Sequence, residues 1–156
     1  MCKWIGIILL QGLIILSGCS IINGSNDDKQ LEIVSFSWIL ESFEINNTTI
    51  EIPQNQIYTL KFLDEPVNSG FDLYNLKIRA DCNECWSDFQ IFDNGAITID
   101  PLICTEVYCG DESLDGQFTF ALQNAFRYET EDHWTLRIFY ENGDDIHAMR
   151  FRRVEK

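Results

Sequence analysis

Apolar and polar residues alternate along most of the chain after residue 31. A period of two places successive side chains on opposite faces of a strand, so each alternating run predicts a strand with one buried face. Clusters of Asn, Asp, Gly and Ser bound the runs and predict turns. Short strands at this spacing predict a mainly β fold with an antiparallel sheet that closes or nearly closes on itself. The runs are 36–40, 58–62, 74–78, 134–140 and 149–151.

One segment follows a helical period instead. Phe118, Ala121, Leu122 and Ala125 are spaced so that they share one face of an α-helix. Asp115 precedes them and is a suitable N-cap, because its carboxylate can accept hydrogen bonds from the N–H groups of a first turn. We therefore predict one short helix of about nine residues near 116–124, with its apolar face packed in the core.

The chain begins with MCKWIGIILLQGLIILSGC, which has the layout of a secretory signal. Lys3 precedes an apolar stretch over 4–16 that is short for a membrane span. The stretch ends in Leu-Ser-Gly-Cys at 16–19, which resembles the lipobox of bacterial lipoproteins. The resemblance implies that residues 1–18 are cleaved and that Cys19 is acylated. An ordinary signal with an incidental cysteine is the alternative.

This pattern predicts three parts along the chain. Residues 1–18 are the lipoprotein signal peptide, 19–30 hold the lipidated Cys19 and a flexible polar tether, and 31–156 form the folded domain. Acyl chains on Cys19 would anchor the protein to a membrane, each buried methylene contributing ~0.8 kcal/mol. We expect the bacterial cell envelope as the location, with the outer membrane as the membrane that holds the anchor.

The charge restricts what the folded part can bind. The 156 residues include 11 Lys and Arg against 25 Asp and Glu, for a formal net charge of −14. Nucleic acid is not an expected partner, because binding it requires an excess of cations. The apolar fraction of 46% is too high for a disordered chain, and the length suits one domain.

Four cysteines, Cys82, Cys85, Cys104 and Cys109, lie in the predicted domain. In an exported protein an even number of thiols favours disulfides. A structural zinc site is an alternative, since Cys-x2-Cys and Cys-x4-Cys approach the spacing of zinc ligands. A thioredoxin-like redox pair at 82–85 is another, although it would need a thiolate at a helix N-terminus and the next residues predict a strand.

The register of a predicted hairpin distinguishes the possible disulfide pairs. Residues 93–95, Asp-Asn-Gly, predict a turn between two alternating segments. Residue numbers of opposing positions in a hairpin have a nearly constant sum, and the nested pairs follow that sum more closely than the crossed pairs. A Cys82–Cys85 bridge would need a local turn, since three strand steps span ~10 Å. We therefore predict disulfides Cys82–Cys109 and Cys85–Cys104.

Several short motifs occur in order along the folded part. They are Trp38-Ile39-Leu40, 58–62, Cys82-Asn83, the Thr-x-x-x-Cys of 105–109, 118–122, Tyr128, 136–138 and 149–151. Together they resemble the META/HslJ-like domain of bacterial envelope lipoproteins. The resemblance implies a small lipocalin-like β-barrel with one short α-helix, and links to heat-shock response, drug tolerance or secreted virulence factors. It implies no catalytic residues.

The sequence departs from the family pattern at three places. Asp81 stands where a Gly often precedes the family's Cys-Asn motif, and Cys85 and Cys104 look like an added pair. The first strand also carries a continuation of its own, Glu41-Ser42-Phe43-Glu44.

The sequence shows no motif that indicates an enzyme. The sequence lacks the patterns of lipase nucleophile elbows, nucleotide-binding loops and zinc proteases. The two histidines, His133 and His147, are expected in exposed loops. Acidic clusters at 106–115, 129–132 and 144–145 do not fit the EF-hand form, so a solvated acidic rim is favoured over weak calcium binding.

The expected function is that of a lipid-anchored envelope protein without catalytic residues, metal or cofactor. Its META-like domain is expected to be a stress-related structural or protein-interaction module, with an envelope protein as partner and the membrane bound through Cys19. The alternative is a small-ligand-binding β-barrel lipoprotein of unknown ligand. The aromatic content of 13% favours a filled interior over a ligand cavity.

Overall fold

The computed structural model describes residues 33–34, 36–68 and 73–154. The predicted signal peptide, Cys19 and tether lie outside the described residues. In chain order the elements are β1 (Ser37–Ile45), β2 (Thr48–Glu51), β3 (Tyr58–Asn68), β4 (Leu73–Ala80), β5 (Asn83–Ser87), β6 (Phe89–Ile91), β7 (Ile97–Ile99), β8 (Ile103–Cys104), α1 (Asp115–Gln123), β9 (Ala125–Asp132), β10 (Thr135–Asn142) and β11 (Asp145–Val154).

A large antiparallel sheet forms most of the fold. Its strand order is β8-β5-β4-β3-β1-β11-β10-β9, so the first and last long strands, β1 and β11, are neighbours. The N-terminal half of β1 pairs with β3, and its C-terminal half pairs with the short β2. Its other edge pairs with β11, with a bulge between Leu40 and Ser42. Within the described residues, the predictions of a mainly β fold, antiparallel pairing and one short helix are confirmed.

A closed barrel is not found among the described strands, so closure of the sheet stays a prediction. β6 and β7 form a separate two-stranded sheet. That hairpin contacts the edge strand β9 through one isolated bridge, Ala96 to Arg127, and through Tyr128 N–H, which donates to Gly95 O at 2.9 Å. Because β6 and β7 have only three residues each, they meet β9 at a point rather than along a ladder.

The core lies between the concave face of the sheet and α1. Strand alternation directs Trp38 and Leu40 of β1 inward, as the sequence predicts. Trp38 is fully buried, and its indole N–H donates to Ile33 O at 3.0 Å. Phe118 of α1 packs between aromatic rings of the sheet, with its ring centroid 5.2 Å from Tyr58 and 6.2 Å from Phe151.

The start of α1 differs from the prediction. The helix spans Asp115–Gln123, close to the predicted 116–124, but its N-cap is Leu114 and no side chain caps it. Asp115 is the first helical residue, where its carboxylate still faces the positive end of the helix dipole. Leu114 N–H instead donates to Tyr58 Oη at 2.7 Å. A hydroxyl from a distant strand therefore binds the backbone at the start of α1, and the predicted N-cap role of Asp115 is wrong.

Candidate functional site

The four cysteines of the domain lie in two pairs at disulfide distance. Cys85 and Cys104 face each other directly across β5 and β8, with Cα atoms 4.1 Å apart. Cys82 and Cys109 form the outer pair, with Cα atoms 5.6 Å apart. These are the nested pairs that the hairpin register predicts. Both bridges hold the segment of residues 103–109, called here the clamped segment, against β5.

Asn83 fastens the middle of the clamped segment. Its side chain is buried, and its Oδ1 accepts hydrogen bonds from Val107 N–H at 2.8 Å and Thr105 Oγ1 at 3.0 Å. Its Nδ2 donates to Val107 O at 2.9 Å and to Asp115 Oδ2 at 3.2 Å. Because strand alternation points Asn83 inward beside Cys82, one amide joins β5, the clamped segment and the start of α1.

A second polar group positions the residues before α1. Tyr58 Oη donates to Gln56 Oε1 at 2.7 Å while it accepts the N–H of Leu114. Burial raises the pKa of Tyr58 above its usual value, and its hydrogen bond with Ser113 partly opposes that rise. Ser113 Oγ also donates to Asp81 Oδ2 at 2.8 Å. The loop before α1 is therefore fixed by neutral and charged partners from β3 and from the β4–β5 turn.

A cleft of about 390 Å³, called here the β8–α1 cleft, lies between the clamped segment and the helix. The clamped segment contributes Glu106, Val107 and Tyr108 to its lining, and α1 contributes Asp115, Gly116, Thr119 and Gln123. Among the described residues, no Lys or Arg lines this cleft. Its lining therefore combines apolar side chains with acidic ones.

Three large apolar side chains of the clamped segment face solvent. Ile103 is 53% exposed, Val107 54% and Tyr108 78%. Tyr108 Oη donates to Asp111 Oδ1, and this hydrogen bond raises the pKa of the tyrosine. An exposed apolar side chain on a fixed backbone loses little conformational entropy when it meets a partner.

The two histidines lie apart from this cleft and differ from each other. His133 is exposed between β9 and β10, as the sequence predicts. The prediction of an exposed loop is wrong for His147, which is 4% exposed in β11, opposite Tyr140. The two rings are 5.5 Å apart. Alternation along β10 places Tyr140 on the inner face, and alternation along β11 places His147 there opposite it.

A second cleft, of about 520 Å³, lies beside the β1–β2 turn. Arg137 in its lining pairs with Glu44 and, at 3.6 Å, with Glu131. The guanidinium also lies 5.0 Å from the centroid of the Phe139 ring. The positive charge of Arg137 is thus compensated by groups of the protein itself.

The described residues offer neither a metal site nor a membrane-spanning helix. Within the described ranges, no group of three or more His, Cys, Asp or Glu is placed to hold a metal ion. No helix there has the length and apolar character to cross a bilayer. The domain's four cysteine sulfurs are engaged with each other, which disfavours the zinc and redox-pair hypotheses.

Comparison with known families identifies the domain. A family model described as the META domain matches residues 31–153, which is most of the chain. The chain belongs to the META domain family. No curated protein matches its sequence. The NMR structure of a protein from Burkholderia xenovorans shares the fold of this META domain, with a TM-score of 0.63 and 18% sequence identity, covering 85% of this chain and 90% of that one.

The structure brings together META motifs that are distant in sequence. Asn83 of the Cys-Asn motif binds Thr105 and Val107 of the Thr-x-x-x-Cys motif, and Cys82 is bonded to Cys109. The sequence pattern predicts only a strand at Tyr58 and does not indicate the contribution of this residue to the region before α1. Its alternation in β3 signalled burial, but no pattern could show that its hydroxyl reaches the start of α1.

Proposed function

We propose that this protein is a lipid-anchored component of the bacterial cell envelope whose META domain is a non-enzymatic, stress-related protein-interaction module. The observation that carries the proposal is the exposed apolar set Ile103, Val107 and Tyr108 on a segment fixed by two disulfides and Asn83. A rigid, preformed surface loses little conformational entropy when it binds. The net charge of −14 supports a protein rather than a nucleic acid as partner.

The packed core supports surface binding over an interior ligand pocket. Large side chains that include Trp38, Phe43, Phe62 and Phe118 are fully buried on the concave side of the sheet. Phe62 and Phe89 meet edge to face, with centroids 4.8 Å apart. Aromatic packing of this kind fills the space that a small-ligand binder would leave open.

Closure of the sheet into a lipocalin-like barrel is part of the proposal. On one side of the β6–β7 hairpin, Asn75 of β4 donates its N–H to Asp88 Oδ1 and accepts from Phe89 N–H, both at 3.1 Å. On the other side, Tyr128 N–H donates to Gly95 O. In hydrogen exchange by NMR, a closed barrel protects Tyr128 N–H as strongly as central-strand amides. Exchange as fast as that of an exposed loop would exclude closure.

Membrane anchoring is tested by fractionation of cells that express the full chain. We expect the wild-type protein in the membrane fraction, with an acylated N-terminal peptide that starts at Cys19 in mass spectrometry. Cys19→Ala should remove the acyl mass and release the domain. Cys2→Ala is the matched control, because it changes a cysteine of the predicted signal and leaves 16–19 intact. An unacylated wild-type chain refutes the anchor.

The interaction surface is tested by site-specific photo-crosslinking in intact cells. A photoreactive residue placed at Tyr108 should give a reproducible adduct of defined mass. The control position is Ile146, which is 63% exposed in the β10–β11 turn region, away from the clamped segment. Equal labelling at both positions, or none at Tyr108, would argue against a partner at this surface.

A further inference from the structure

The clamped segment presents a free strand edge toward the β8–α1 cleft. Among the described strands, β8 pairs with β5 alone. Thr105 N–H donates to Glu84 O at 3.0 Å, and Val107 N–H donates to Asn83 Oδ1, so both residues direct their amides toward β5. In an extended strand the next residues direct their backbone groups the opposite way. The N–H and C=O groups of Cys104 and Glu106 therefore face away from β5, and both residues line the cleft.

Strand β8 itself covers Ile103 and Cys104, and covalent and hydrogen-bonded contacts hold the residues after it in place. Cys104 and Cys109 are covalently tied to β5 and to the residue before it, and Asn83 holds the residues between them. An added strand would therefore bind a preordered backbone. An open edge of this kind is a template for pairing with another extended chain.

The lining of the cleft defines the chemistry of that chain. Glu106 and Asp115 contribute carboxylates, while Val107 and Tyr108 contribute apolar surface. No Lys or Arg in the described part of the chain lines the cleft. We propose that an extended segment of alternating cationic and apolar residues pairs with residues 104–106 as an added strand in the β8–α1 cleft. The inference rests on the proposed interaction function and deepens it by naming the chemistry of the partner.

Backbone pairing can be tested with a defined probe. A fluorescent octapeptide of alternating Lys and Val should bind the folded, oxidised domain in anisotropy measurements at 150 mM salt, whereas the Glu-Val analogue should bind at least about tenfold more weakly. Two forms of the peptide, each N-methylated at alternate backbone amides, distinguish its two edges. Methylation of the amides that face β8 should abolish binding, because it removes the N–H donors that pair with the protein. Methylation of the amides on the opposite edge should leave binding unchanged.

Matched substitutions locate the peptide on the protein. Glu106→Lys should weaken binding of the Lys-Val peptide by about tenfold or more, because it replaces an anion in the cleft by a cation. Glu112→Lys is the control: it makes the same change in net charge on the same loop but lies outside the cleft lining. We expect less than about threefold from it.

A second pair of variants tests occupancy of the cleft without adding charge. A Cβ placed on Gly116 meets no heavy atom within 4 Å, so Gly116→Leu should fold and fill the space beside the clamped segment. Leu also has the higher helix propensity, so thermal stability should not fall. Binding of the peptide should be lost, whereas Phe120→Leu, an exposed position of α1 outside the lining, should retain it.

Several outcomes overturn strand addition. They are equal binding by both methylated peptides, equal effects of Glu106→Lys and Glu112→Lys, or absence of binding by the Lys-Val peptide. If the photoreactive residue at Tyr108 still gives a specific adduct in these cases, the interaction function stands and the partner docks without pairing to the edge. If that adduct is absent as well, both proposals fail.

Discussion

Removal of the Asn83 side chain should detach the clamped segment while the disulfides remain closed. The amide makes five hydrogen bonds. Four of 2.8–3.2 Å join Val107 N–H, Val107 O, Thr105 and Asp115, and one of 3.3 Å is donated to Cys109 Sγ. Each contributes about 1 kcal/mol net. Val107 is 54% exposed, so water can replace part of what is lost there. We therefore expect Asn83→Ala to lower the free energy of unfolding by about 2–4 kcal/mol.

The isosteric variant Asn83→Asp separates hydrogen bonding from packing. It keeps an acceptor for Val107 N–H but turns a second oxygen toward Val107 O and the carboxylate of Asp115. Repulsion should raise the pKa of the introduced carboxyl above its value in the unfolded chain. A group of this kind favours folding below its unfolded pKa and loses that contribution as the pH rises through its folded pKa. Asn83→Asp should therefore be closer to wild-type stability at pH 4 than at pH 7.

Urea unfolding followed by tryptophan fluorescence, under oxidising conditions, measures both variants. Asn94→Ala is the matched control, because Asn94 makes one side-chain hydrogen bond, to Ala96 N–H at 3.0 Å, in an exposed turn. It should cost about 1 kcal/mol or less. Amide exchange at Val107 should accelerate in Asn83→Ala alone. If Asn83→Ala costs no more than Asn94→Ala and exchange at Val107 is unchanged, Asn83 does not hold the segment.

Three further predictions concern a bridge, a glycine and an acid. Cys82→Ala/Cys109→Ala should cost about 3 kcal/mol in urea unfolding, since the inner bridge already shortens the loop that the outer one closes. Gly95→Ala should cost about 1–2 kcal/mol in the same assay, because φ is +80° and the new Cβ would lie 3.3 Å from Tyr128 O. Two backbone N–H donors lower the pKa of Asp132, which an NMR titration should show. The ionised carboxylate therefore stabilises the folded state above about pH 4, and this contribution declines as the pH falls through the lowered pKa. Asp132→Asn should remove that acid-dependent loss of stability.

Alternation was sufficient to predict the long strands, because their inner residues are buried in a single core. The runs around Trp38 and Leu136 each begin one residue before β1 and β10 and otherwise lie within them, with these two side chains fully buried. β2 was missed because all four of its residues are exposed, so no apolar alternation marks it. β9 was also missed, because Tyr128 is its only clearly buried residue. Edge strands with solvated faces carry too little hydrophobic signal for such a prediction.

The disulfide pairs could be predicted because the position of a hairpin turn determines which residues on its two sides lie opposite each other. The start of α1 could not, since Leu114 and Tyr58 are 56 residues apart and nothing local signals their hydrogen bond. The burial of His147 was missed for another reason. The acidic turn residues beside it indicate a loop, but the long pairing of β10 with β11 extends past it to Asp145. Tertiary pairing overrides such local signals.

The departure at Asp81 has a physical explanation in the same region. Its φ of +55° is a left-handed conformation in the turn between β4 and β5, which Gly adopts without strain and other residues adopt at a cost of roughly 1–2 kcal/mol. Asp tolerates this region better than most residues. Its carboxylate also accepts a hydrogen bond from Ser113 at 2.8 Å, and hydrogen bonds to charged groups contribute about 1.5–3 kcal/mol. Asp at this position therefore adds a hydrogen bond between the β4–β5 turn and the loop before α1, and that hydrogen bond offsets the strain of the turn.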